Sequence, residues 1–146
     1  RFAFPFPVIL AFAAGVVGGF LIDDTGIDSV RAQSDIPAEH SGLTVETLGV
    51  LPASSMAAQL GLEGHVLQLR AITIAPGGAI ARHGHETRPG LVWTTEGVWT
   101  EGRESGETDY GVGDPALLED ENTVHWFWNR TDAPATAIVC DIVPDA

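Results

Sequence analysis

Two patterns of apolar and polar positions divide the chain. Residues 2–22 carry no charge. A run of that length matches the roughly 20 residues a helix needs to cross a bilayer. Arg1 precedes it and Asp23, Asp24 and Asp28 follow it, which orients such a helix with its N-terminus inside. From Gly64 onward the pattern changes. Turn signals recur at short intervals: Pro76-Gly77-Gly78, Pro89-Gly90, Gly97, Gly102, Gly106 and Gly113-Asp114-Pro115. The runs between them are rich in Val, Ile, Leu, Thr and Trp, and none keeps a helical period over three turns. Such spacing predicts short strands in an all-β sandwich or barrel. Residues 43–50 predict one earlier strand, 33–42 a linker, and 52–60 a loop or a single helical turn.

The N-terminal run admits two readings. Val30-Arg31-Ala32 before Gln33 fits the cleavage site of a signal peptide. The length of the run fits a retained transmembrane anchor instead. Both readings place the rest of the chain outside the cytoplasm, periplasmic or secreted, with membrane attachment in the second case. The chain starts at Arg1 without Met, so a few upstream residues are expected. The expected division is 1–32 signal peptide or anchor, 33–63 linker and N-terminal extension, and 64–146 a barrel domain.

Composition narrows the partners. The 146 residues carry a net charge of -13. Phosphate backbones repel so acidic a chain, so no nucleic-acid partner is expected. A hydrophobic content of 45% excludes general disorder. The single cysteine, Cys140, excludes an internal disulfide framework and any CxxC site. It reads as a small buried residue of a strand. A domain this small without disulfides draws its stability from its core, a metal or a partner.

Two stretches carry candidate chemistry. In an extended strand the side chains at i and i+2 share a face, so His83 and His85 project together across Gly84. In residues 123–129, alternation puts Thr123, His125 and Phe127 on one face and Val124, Trp126 and Trp128 on the other. Three histidines from two strands suit a divalent metal with open positions. Arg82 and Arg88 flank the pair, and either suits a bidentate carboxylate contact or an ordinary surface ion pair. Alternation turns Arg82 outward, whereas Arg88 sits in a turn. Arg88, Trp93 and Phe127 are the candidate substrate contacts. Trp126 and Trp128 suit a second sheet or a dimer partner. Glu119-Asp120-Glu121 reads as a solvated turn, with one acid as an alternative visitor to the site. There is no G-x-S-x-G elbow and no phosphate loop.

At these residues the chain resembles the cupin superfamily. Gly77, His83, His85 and Gly97 fall on the first motif, G-x5-H-x-H-x3,4-E-x6-G. His125 and Asn129 keep the spacing of the second, G-x5-P-x-G-x2-H-x3-N, with Gly113 one residue early and Asp120 and Asn122 at its Pro and Gly positions. The resemblance covers about residues 64 to 143 and looks most like the compact single-domain bacterial (type-2) cupins. It implies a small jelly-roll-like barrel, here preceded by an apolar N-terminal helix, and a homodimer. It also implies one divalent ion, iron, manganese, nickel, copper or zinc, on His83, His85 and His125. One departure matters: the first-motif Glu belongs at 89 or 90, where this chain has Pro89 and Gly90.

Three outcomes follow from that departure. The three histidines act alone, as in the thiol dioxygenase branch; or Glu86 or another acid such as Glu121 reaches in; or metal binding is weak or lost. Ordinary imidazoles would release metal below about pH 6.5. The resemblance to three-His cupins implies dioxygenase-like chemistry on a small molecule. The alternatives are a ligand-binding or sensing module and a structural partner domain with a degenerate site.

Overall fold

The computed structural model describes residues 36–145. Eight strands and one short helix follow in order: β1 (Ser41–Leu51), α1 (Ala53–Leu60), β2 (His65–Gly84), β3 (Gly90–Glu96), β4 (Val98–Arg103), β5 (Gly106–Gly111), β6 (Leu117–Glu119), β7 (Val124–Trp128) and β8 (Ala135–Pro144). The hydrogen-bonded order is β5-β4-β7-β2-β8-β3-β6, with β1 on β2. The sheet coils until β3 approaches β5 and β4 approaches β8, giving a near-closed, jelly-roll-like all-β barrel.

β2 organises the barrel. Its first half pairs with β8 from His65 to Ile74, and its end pairs with β7 from Ala79 to Gly84. The change of partner falls at Pro76-Gly77-Gly78. Gly77 takes a left-handed φ of 71°, which costs little only without a Cβ. A Cβ on Gly78 would sit 2.8 Å from the Ser41 carbonyl oxygen. Asn129, fully buried, locks this corner: its Nδ2 donates to the carbonyls of Ile74 and Ala133. Its Oδ1 accepts from the Thr131 backbone N–H and hydroxyl. The motif asparagine thus holds the corner's backbone, and its side-chain hydrogen bonds go there rather than to the histidines.

Strand alternation fills the interior. Ile72, Ile74, Val92, Trp99, Phe127 and Val139 form the core. The opposite face of β3 and β6 leaves Leu91, Trp93 and Leu118 exposed. Cys140, on that same outward register of β8, is half-buried rather than enclosed.

Residues 41–51, expected to lie largely in an N-terminal extension, form β1 and pair with β2 from Ser41↔Ala79 to Leu51↔Leu67. α1 is a two-turn helix ending at Gly61 in the left-handed region, with Met56 buried. Among the described residues, no helix is long and apolar enough to cross a membrane. This corrects the expected membrane attachment as far as the described residues go. Apolar residues after position 36 alternate along short strands instead of forming a continuous apolar helix. The signal peptide or anchor expected at 1–32, and its apolar helix, lie outside the described residues.

Candidate metal centre

The corner in β2 aims the histidines. His83 is in register with His125 of β7. His85 lies just past the end of β2, held by its backbone N–H to the Thr123 carbonyl. The three rings gather with centroids 4.7 to 5.0 Å apart. One donor atom from each of His83, His85, His125 and Glu119 lies within 4.8 Å of the others.

Each ring is held by Nδ1. The His83 Nδ1–H donates to the Ala81 carbonyl at 2.8 Å, and the His85 Nδ1–H to the Arg88 carbonyl at 2.8 Å. A carbonyl only accepts, so these nitrogens carry the protons and Nε2 keeps its lone pair. The His125 Nδ1–H donates to Glu101 Oε1 at 2.7 Å. The Arg103 Nε–H donates to the same Glu101 oxygen at 2.7 Å. The Nε2 atoms of His85 and His125 lie 3.0 Å apart. Two lone pairs at that distance repel unless a shared cation draws them together. Such outer hydrogen bonds on ligating imidazoles fix the tautomer and aim the ring.

Glu119 lies where the motif glutamate is missing. It is the last residue of β6, in register with Gly90 of β3. A Cβ on Gly90 would collide with the Glu119 carboxylate. The residue with no side chain therefore makes room for an acid delivered by the neighbouring strand. Glu119 Oε1 is 3.5 Å from His125 Nε2, and Oε2 is 3.5 Å from His85 Nδ1. Its Oε2 is buried and has no hydrogen-bond partner among the described residues. The other acids weighed for this role, Glu86 and Glu121, are exposed. A three-histidine cluster without an acid is thereby replaced by three histidines and one glutamate.

Burial sets the charges here. It lowers His83 to about 4, despite the opposing pull of its hydrogen bond to Ala81. Burial likewise lowers His85. His83 is thus neutral well below pH 6.5 and does not itself contribute to metal release there. Burial raises Glu119 to about 7, opposed by the nearby Arg88. For Glu101, burial pushes upward, but the hydrogen bonds from His125 and Arg103 outweigh it and keep its pKa low. A low Glu101 and a raised Glu119 distinguish the two acids: one holds a ring as an anion, the other still shares a proton near neutrality.

Beside the cluster opens a cavity of about 290 Å³. Its apolar wall includes Leu43, Val45, Ile72, Ile80, Trp99 and Phe127, and its polar wall His40, Arg70, His83, Arg88 and Glu119. Phe127 and Arg88, both candidate substrate contacts, lie on this wall. Trp93, the third, does not: Val92 and Thr94 turn inward, and alternation leaves Trp93 52% exposed on the outer face. Arg82 also points away, paired with Glu104 at 3.1 Å. Sequence reasoning singled out neither Glu101 nor Arg70 nor Asp141, and read Glu119-Asp120-Glu121 as a solvated turn with one acid, not specified as Glu119, as an alternative visitor to the site. Each reaches the site through strand pairing between distant segments. The signal within reach was the missing acid at Gly90 together with an acidic cluster shortly downstream.

No protein-family model matches the sequence, and no curated protein matches it. Solved structures do match in shape. One is the Cupin 2 domain of an XRE-family transcriptional regulator from Enterobacter cloacae, at 13% identity and TM-score 0.53, covering 71% of this chain and 99% of that one. Another is KdgF from a Halomonas species, at 16% identity and TM-score 0.52, covering 70% and 79%. A third is a Cupin 2 conserved barrel domain protein from Salinispora arenicola, at 16% identity and TM-score 0.52, covering 79% and 83%. The chain therefore has the cupin fold. A fold shared at such identities leaves the activity to be argued from the site.

Proposed function

We propose that the protein is a metal-binding cupin that uses His83, His85, His125 and Glu119 to hold one divalent ion and acts on a small organic molecule in the adjoining cavity. The observation that carries this is the donor set itself. Three imidazoles have their Nδ1 positions committed, and a buried carboxylate with an unpartnered oxygen stands beside them. Three nitrogens and one oxygen suit iron, manganese, nickel, copper or zinc. When bound, such an ion supplies Lewis acidity and, if redox-active, reactivity toward dioxygen. Dioxygenase-like oxidation is the reaction class we favour.

The chain's own residues define the rest. Glu119 offsets one unit of the ion's charge. Glu101 holds the His125 ring and balances Arg103. Trp99 and Phe127, packed edge to face at 5.1 Å, exclude water from the cavity floor. His83 belongs to both the cluster and the cavity wall, so a ligand in the cavity lies next to the ion.

Elemental analysis of the purified full chain tests the metal reading. About one equivalent of a single divalent metal is expected, lost in His125→Ala. No metal after reconstitution with each of the five ions would refute it. If the ion is iron, manganese or copper, oxygen uptake with small organic substrates is the next assay. Ligand-induced thermal stabilisation without product would reassign the protein as a binding module.

A further inference from the structure

The cavity's charge has an unusual source. Arg70 of β2 places Nη2 2.7 Å from Asp141 Oδ2 on β8. Arg88, in the turn after His85, places Nε 3.3 Å from the same oxygen. Asp141 is fully buried. Arg103 and Arg130 are paired with Glu101 and Glu107, and Arg82 with Glu104. Among the described residues, only Arg70 and Arg88 share a single acid. Two guanidinium groups against Asp141 leave one positive charge that this acid does not answer. Arg70, the more buried of the two, makes that imbalance costly unless something answers it. The Nε atoms of both arginines are buried without a hydrogen-bond partner among the described residues. A guanidinium carries five N–H donors in a fixed fork, and Asp141 fixes how the two forks lie.

We propose that Arg70 and Arg88, oriented by Asp141, clamp the carboxylate of a small monoanionic organic acid whose apolar body fills the cavity. The proposal rests on reading the cavity as the substrate pocket of the metal centre. One net positive charge matches one carboxylate. Much of the remaining wall is apolar, through Leu43, Val45, Ile72 and Ile80. The ligand is therefore an acid at one end and hydrocarbon at the other. The volume equals the space of about ten waters, which suits an acid the size of phenylacetate.

Calorimetric titration of the metal-loaded full chain tests this with three probes: phenylacetate, its neutral amide phenylacetamide, and benzylphosphonate. Phenylacetate should bind at least about tenfold more tightly than the amide, the usual worth of a hydrogen-bonded charge. Arg88→Gln should weaken phenylacetate by a similar factor, and Arg88→Lys should restore part of it. Arg88 is half-exposed, so the variant should fold; a thermal melt checks that. Equal binding of acid and amide, or an unchanged Arg88→Gln, overturns the clamp. Tighter binding of benzylphosphonate overturns it in favour of a phosphoryl ligand. Failure of phenylacetate to bind at all also overturns it.

Elemental analysis of the same samples separates the two readings. Metal held while carboxylates ignore Arg88 defeats the clamp alone. Arg88-dependent binding to a chain that never takes up metal defeats the metal centre alone.

Discussion

Glu101 is the residue whose role is easiest to isolate, because it touches His125 and Arg103 but stands outside the donor cluster. Glu101→Gln keeps the shape and removes the charge that aims the His125 ring. Metal affinity should fall about 10- to 100-fold, the usual cost of losing such a partner, with stoichiometry unchanged at saturating metal; competition with a chelating dye measures it. Glu119 gives a pH signature. With its pKa raised to about 7, it carries a proton below that pH, which an incoming ion must displace. Affinity should rise with pH and this contribution should level off above about 7. His83, lowered to about 4, adds no slope near neutrality. Glu119→Gln should therefore bind metal more weakly at pH 7 and show a flatter profile between about pH 5 and 7. Proton release measured by calorimetry in buffers of different ionisation enthalpy checks this. Without metal the sign reverses. The folded state holds the Glu119 proton more tightly than the unfolded chain, whose value is near 4.5. That contribution to stability is full below pH 4.5 and is lost as pH rises through 7.

At the scale of elements, the change of partner in β2 decides where the histidines point. Gly78 admits no side chain without displacing the Ser41 carbonyl, and Asn129 satisfies the backbone groups that the bend leaves over. Asn129→Ala orphans buried carbonyls and should cost about 1–3 kcal/mol of unfolding free energy in urea. Below the transition it should still bind one equivalent of metal, because Asn129 is not a donor of the cluster and its side-chain hydrogen bonds go elsewhere. Loss of metal from a folded Asn129→Ala would instead make the corner part of the site's own geometry. The pairing of β3 with β6 makes a second prediction at this scale. Gly90→Ala should push Glu119 aside and lower metal affinity, and the double variant Gly90→Glu with Glu119→Ala should recover part of it by carrying the carboxylate on the other strand. Titration of the three proteins side by side reads the order directly.

For the whole molecule, the metal and the barrel should be thermodynamically linked. The donors come from β2 and its end, β6 and β7, which are brought together only by folding, so an ion bound to them stabilises the fold. At a free concentration 100 times Kd the gain is about 2.7 kcal/mol. For a domain of this size that raises Tm by on the order of 10 °C. Chelation should remove the increment, and His83→Ala should abolish it; a calorimetric scan with and without chelator checks both. The strand-rich pattern after Gly64, the pairing of His83 with His85 on one face, and the position of His125 beside Phe127 were legible in the sequence. They depend on backbone alternation, which acts over two residues. The sequence equally showed that the glutamate of the first motif was missing at Gly90. Which acid stands nearby was decided only by the pairing of β3 with β6, which sets Glu119 against a residue 29 positions away in the chain. The shared acid of Arg70 and Arg88, the anchoring of His125 by Glu101 and the outward turn of Trp93 were likewise decided by register. Register is settled by packing around a common core, and no local run of residues encodes it.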